Sequence, residues 1–427
     1  MASRVRMMSR IWRWLLAIYF VMPLTGCTRD LVEVDKINVV LGFGVDLVGD
    51  NVRVSAQIVL PQGMKSNNPD NPSKNQFLLE EAIAKTLEQA MDELEAKLPR
   101  HIYLPHNTLV LYGNSYAEKG LARSFDFLER DRDYRRNELL LVTSGEARDV
   151  LKQNALPDSI NVLAIRQLIQ QFSEKSIIVE SEQLRVIREF LEASHSPILT
   201  VVDVGPNGQP NVTGVGLFRG SKLIRILDMN QTTGLLWVTG PMHNILLNVP
   251  CESGQGGGVE SGSVSGSDTT TGGSPARDAG SGSTFRVLSS NVNVTPIVKS
   301  GQLSYQVKVR GKAELVRLCQ GESMDEKTLK RLEASLEGNV KQQIETSMKI
   351  VQESKSDAVQ FGTNLFRSNP TVWRKYASNW DDIFSNLKIS YDVQFHLLRT
   401  GLTASSPTSE FSREQLPPKA GREQLVK

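Results

Sequence analysis

The sequence has no long apolar run, three cysteines, few aromatic side chains (6%) and no surplus of either charge, with 49 basic residues against 47 acidic ones. Each shortage narrows the field. The longest apolar stretch, Trp14 to Leu24, is 11 residues, whereas a helix needs about 20 to cross a bilayer, so the chain is not expected to be a pore or carrier. A near-neutral balance gives no field for nucleic acid. The five histidines (His101, His106, His195, His243 and His396) are scattered, and no His/Cys/Asp/Glu set has the spacing of a metal site. No Gly-x-Ser-x-Gly elbow occurs in the regions expected to fold. Gly42-Phe43-Gly44 lacks a third glycine at Leu47 and runs into a hairpin, which leaves no helix N-terminus for a dinucleotide phosphate. Nothing in this pattern demands an enzyme, and no cofactor is expected.

The N-terminus carries the strongest local signal. Arg4, Arg6, Arg10 and Arg13 precede the apolar run, which closes on Leu24-Thr25-Gly26-Cys27. A basic region, a short apolar run and small residues before a cut describe an export signal. The cysteine directly after the small pair makes this a lipoprotein signal, with residues 1–26 removed and Cys27 carrying a thioether-linked diacylglycerol and an N-acyl group. Two or more chains hold a protein firmly, at about 0.8 kcal/mol per buried methylene. The mature body is therefore expected on the outer face of the membrane it crossed, joined by a tether over 27–37. That leaves Cys251 and Cys319, which either form a disulfide, allowed outside the cytoplasm, or sit as two small buried hydrophobes.

Beyond the tether, a chain of this length suggests two or three domains. Asn38–Asp46 and Val52–Leu60 alternate as strands around a Gly49-Asp50-Asn51 turn. Apolar spacing predicts a helix over Phe77–Leu98, a strand at Thr108–Tyr112, a helix over Ala117–Glu129 and a strand at Glu138–Thr143. An N-terminal α/β region over 38–204 follows, with 145–197 as an appended helical subdomain and Ile198–Val202 returning to the sheet. The turn Gly205–Pro210 marks the next boundary. The C-terminal α+β domain, 211–401, holds a hairpin over Arg219-Gly220-Ser221, strands at His243–Val249, Phe285–Val294 and Leu303–Leu318, and a long helix from Asp325 to Val351. In that helix, Leu329, Leu332, Leu336, Val340, Ile344, Met348 and Val351 step at helical spacing, so one face should lie on a sheet. Short helices near Val372–Tyr376 and Trp380–Phe384 precede a last strand, Leu387–Arg399. The Gly/Ser/Thr stretch 252–284 is a loop insert and 402–427 a disordered tail. The mixed run Glu129 to Arg136 is a self-paired solvated face or a docking patch built on Arg130, Arg132, Arg135 and Arg136. Trp373, Tyr376 and Trp380 read as sheet cover.

With these residues in hand the chain resembles the Ger(x)C lipoproteins, the C subunits of bacterial spore germinant receptors. The resemblance rests on the lipobox at Leu24–Cys27, on Val39–Asp46 followed by Val54–Val59, and on Phe125–Asp131 with Arg135-Arg136-Asn137. It continues in Gly214–Gly220, Gly234–Trp237, Trp380–Phe384 and Arg399-Thr400-Gly401. Their order, more than any one of them, is specific. The chain departs from the family in having Thr28-Arg29-Asp30 where Trp-Asp-Arg is usual. The resemblance implies a three-domain α+β body with mixed and antiparallel sheets covered by helices, on the outer face of the inner spore membrane. It implies two partners, a multi-spanning A subunit and a transporter-like B subunit, in a complex that senses nutrients, with no catalysis by this chain. The competing reading is a solute-binding lipoprotein of an uptake system, which needs two lobes around a cleft. Cys27→Ala is expected to leave folding intact and to release the protein from membranes; unchanged fractionation with the membrane would remove the lipid from this account.

Overall fold

The computed structural model describes residues 36–59, 77–130, 134–153, 160–251, 282–319 and 325–400. The signal segment, the lipobox and Cys27, Arg132, most of the 252–284 insert and the 402–427 tail lie outside them. Within them the chain adopts the expected mixed α/β architecture, built on two sheets.

The first sheet has nine strands. β1 (Ile37–Val48) and β2 (Asn51–Val59) form the anticipated hairpin, and β3 (Phe77–Ala84) pairs antiparallel with β2. The short β4 (His101–Tyr103) and β5 (Leu109–Tyr112) both run parallel to β1. Next come β6 (Leu139–Val142), β7 (Ile198–Val204), β8 (Pro210–Arg219) and β9 (Lys222–Asp228), giving the order β3-β2-β1-β5-β6-β7-β8-β9. The centre of this sheet is buried on both faces, which explains its unbroken apolar strands. Alternation sends Leu109, Leu111, Leu139 and Leu141 to one core and Val110, Tyr112, Leu140 and Val142 to the other.

Helices cover both faces. On one lie α1 (Leu87–Ala96), α2 (Asn114–Lys119), α3 (Ala122–Arg130) and α6 (Gln183–Leu191); on the other lie α4 (Ala147–Leu151) and α5 (Asn161–Glu174). The 145–197 segment is thus not an appended subdomain, because its three helices have apolar faces that only the sheet can bury. The two glycines at 42 and 44 have their reason here. A Cβ on Gly42 would sit 2.7 Å from Val162 of α5, and one on Gly44 2.8 Å from Ala147 of α4, so these glycines admit helices to the sheet. Buried Asp46 fixes α4 by accepting from the Ala147 and Arg148 N–H groups at 2.7 and 3.0 Å.

Two expectations are corrected. Residues 77–84 are strand, not helix: β2 would otherwise bury an unpaired ladder edge, and eight residues of antiparallel pairing outweigh the helix propensity of Leu, Glu and Ala. The helix itself starts at Leu87, capped by Thr86. The helix expected over 117–129 is two, broken at Gly120 with φ +123°, where the Leu121 N–H leaves to bond Ser221 O. The expected boundary turn at 205–210 is the hairpin turn between β7 and β8, and hydrogen bonding carries the first sheet across it to Asp228.

After β9 comes α7 (Met229–Thr239). The second sheet then runs β10 (Leu246–Pro250), β11 (Gly282–Lys299), β12 (Gln302–Arg317) and β13 (Lys388–Thr400), in that order. One of its faces is covered by α7, by the long α8 (Glu326–Glu353), whose stripe from Leu332 to Val351 is buried as anticipated, and by α9 (Phe361–Ser368), α10 (Pro370–Tyr376) and α11 (Trp380–Ser385). Ile198, Val215, Leu217 and Leu227 of the first sheet join this core. Cys251 and Cys319 form a disulfide with Cα atoms 5.9 Å apart.

Pro250 already pairs with Gly282 across the β10–β11 ladder. Replacing 252–281 by a short turn should therefore move the melting temperature by no more than a few degrees, since shortening a loop changes closure entropy only slowly. A larger fall on calorimetry would show that the insert packs on the body.

Candidate functional site

The polar chemistry of the described residues concentrates where the two halves meet. Asp357, 1% exposed, lies in the turn between α8 and α9. Its carboxylate accepts from Ser194 Oγ (2.7 Å), Phe361 N (2.9 Å), Gly362 N (2.6 Å) and Trp380 Nε1 (2.9 Å). Two of these donors are N–H groups of the first turn of α9, whose N-cap residue Gln360 supplies no side-chain cap. Ser194, 163 residues upstream in the α6–β7 connection, accepts in turn from Thr363 N at 2.9 Å. Gln360 Nε2 reaches Ser196 O, Ser356 Oγ reaches Phe218 O, and Arg367 pairs with Glu192. Burial pushes the Asp357 carboxyl up to about 6 against the opposing pull of its four donors. Tyr305 anchors the same turn by stacking on Phe361 at 4.4 Å and donating to Phe361 O.

Beside this lock lies a cleft of about 340 Å³. One wall is Ile178, Val179 and Ile198 from the first half; the other is Leu236, Met242 and Val359 from the second. Its charged pair is Arg185 and Glu189, 2.9 Å apart on one face of α6. Burial raises the Glu189 carboxyl, with Arg185 pulling it down. At the rim, Ser176 Oγ accepts from the His243 backbone N–H at 3.1 Å and meets its ring Nδ1 at 3.0 Å. This pair has the elements of a nucleophile and base. A carboxylate to orient the imidazole, which that chemistry needs, does not bond it among the described residues. No three His, Cys, Asp or Glu side chains converge there on a metal position. The cleft can hold a small molecule between fixed walls, and its Arg185 and Glu189 satisfy each other.

The residues singled out by sequence are dispersed. Arg130 is paired with Asp126 and Arg136 with Glu129, and both arginines stay exposed, as does Arg135. The Cys251–Cys319 bridge ties the end of β10 to the chain just past β12. Trp373 and Trp380 are buried edge to face at 5.0 Å, and Trp380 is a member of the lock. Asp357, Ser194 and Glu189 went unnoticed because a lone polar residue in a polar stretch has no periodicity or motif to mark it.

The family model described as Spore germination protein N-terminal domain matches residues 30–204, and the one described as Spore germination B3/GerAC like, C-terminal, matches 213–401. Their junction falls at the β7–β8 turn. The chain is 24% identical to spore germination protein B3 of Bacillus subtilis (strain 168) over 397 residues, covering 90% of this chain and 96% of that protein. It is 20% identical to spore germination protein KC of the same organism, covering 91% and 95%. Among solved structures, the crystal structure of the GerBC protein matches with a TM-score of 0.53 at 20% identity, covering 84% of this chain and 97% of that one.

Asp357→Ala leaves four buried donors facing a void, at about 1–3 kcal/mol for each left unpaired, and should lower stability by at least about 3 kcal/mol in denaturant unfolding. Because the folded-state value lies above the unfolded one, the stability contributed by Asp357 is full below about pH 4 and falls as pH rises to about 6. The difference between the wild-type and Asp357→Ala stabilities should therefore shrink over that window; a flat difference would contradict the raised value.

Proposed function

The chain belongs to the family of spore germination B3/GerAC-like proteins, and on that premise we propose that it is the C subunit of a spore germinant receptor. It is a non-enzymatic body, held by the acylated Cys27 on the outer face of the inner spore membrane. There it works with the multi-spanning A and B subunits to turn nutrient sensing into germination. The observation that carries this reading is the match of both family models in order across the two halves of one chain.

The geometry supports a subunit that acts through its surfaces. No described helix is long and apolar enough to cross a membrane, which agrees with an anchor outside the described fold. The rival, a solute-binding lipoprotein, requires lobes that close about a hinge. Here closure would have to break the Ser194–Asp357 and Ser194–Thr363 bonds inside a buried core, so a clamp is disfavoured.

Purification of the chain from spore membranes under mild crosslinking should bring down two multi-spanning partners in constant ratio. Recovery of the chain alone would overturn the complex. Calorimetry of the body against candidate nutrients should show no tight binding; sub-micromolar affinity would restore the solute-binding reading.

A further inference from the structure

The second sheet has one face covered by helices and one that no described element covers. Alternation sends Leu303, Tyr305, Val307, Val309 and Ala313 of β12 into the core, and turns Lys308, Arg310 and Lys312 outward, all exposed. Outward residues on one strand recur about every 7 Å, so these three cations form a line. Cross-strand register places Lys308 between Asn293 and Asp392, Arg310 between Asn291 and Gln394, and Lys312 between Ser289 and His396. Lys388 stands beside Ser304 on the same face, and Arg286 opposite Glu314. Its carboxylates are engaged, Asp392 by Arg310 at 2.5 Å, Glu314 by Arg286 at 2.9 Å and, at the β13 edge, Glu333 of α8 by His396 and the Leu397 N–H. Lys308, Lys312 and Lys388 have no ion pair among the described residues.

This concentration is not a matter of composition, since the whole chain carries a net charge of only +2. At one end of the face Leu246 and Leu398 protrude, 56% and 39% exposed. A flat surface of unpaired lysines amid uncharged Asn, Ser and Gln, with leucines at its margin, matches the chemistry of an anionic bilayer: negative headgroups above an apolar layer.

We propose that the outer face of the second sheet, centred on Lys308, Arg310 and Lys312, docks on the anionic lipid surface of the membrane that carries the protein. The inference rests on the anchored reading of Cys27 in one respect. The acyl anchor holds the body at the membrane, and the cationic face, which binds anionic lipid without the anchor, sets its orientation. With the β12 face down, the covered side of the second sheet points away from the lipid.

The test separates the face from the anchor. The mature chain from residue 27, carrying Cys27→Ala and made without acylation, is sedimented with phosphatidylcholine vesicles with and without about one-third phosphatidylglycerol. It should bind only the anionic vesicles and be released by high salt, because the attraction is screened within about 10 Å at 0.1 M ionic strength. Lys308→Gln with Lys312→Gln should weaken binding about 25-fold, about fivefold per lysine. The melting temperature should not change, since both side chains are exposed. Absence of binding to anionic vesicles, or equal binding by the double variant, overturns the proposal. So would loss of germination in the double variant without any vesicle binding, which would assign the face to a protein partner. The anchor is judged separately by the acyl mass on Cys27, so either reading can fail without the other.

Discussion

A single carboxylate holds the two halves of this chain in register. Asp357 gathers donors from three separate stretches: the α6–β7 connection, the first turn of α9 and the indole of α11. Each donor is buried, and a buried N–H or O–H without an acceptor costs far more than a hydrogen bond gains in water. The three stretches can therefore share one geometry or none. The cleft beside Asp357 inherits its fixed walls from that constraint, and the shared apolar core, with Ile198 of the first half packed among second-half residues, makes the same junction dry.

The division of the chain looks different in sequence and in space. Family models separate at the β7–β8 turn, where the chain reverses at an exposed loop. The backbone ladder ignores that point, because β8 pairs antiparallel with β7 on its outer side and β9 in turn pairs with β8. The result is a first sheet completed by the second half, which is a structural reason for the two halves to occur together.

Charge placement carries the rest of the functional argument. Among the described residues of the run Glu129 to Arg136, Arg130 pairs with Asp126 and Arg136 with Glu129. Exposed pairs of this kind contribute little to stability, and they leave less charge for a partner. The outer face of the second sheet is the reverse: its carboxylates are already engaged, and three lysines remain over. In a chain of nearly balanced charge, where the surplus sits says more about partners than how large it is.

What the sequence determined by itself was local or periodic. The β1–β2 and β8–β9 hairpins, the long β11 and β12, the buried stripe of α8 and the final strand were all legible because a face buried against a core imposes period 2 or 3.6 on its own residues. The expectation at Cys27, which lies outside the described residues, is of the same local kind, since a processing signal is read along the chain and not across the fold. Only tertiary structure decided the rest. Residues 77–84 became strand because β2 lacked a second neighbour. α7 escaped because it is wedged between the first sheet and α8 and shows no one-sided stripe, its Asp228 and Gln231 capping box being the one signal that marks its start. Gly42 and Gly44 proved to be clearance for helices. The Asp357 lock, whose partner Ser194 lies 163 residues away, and the cationic sheet face, whose lysines gather on adjacent strands through register, come from proximity in space, for which a linear pattern of residue types has no period to record.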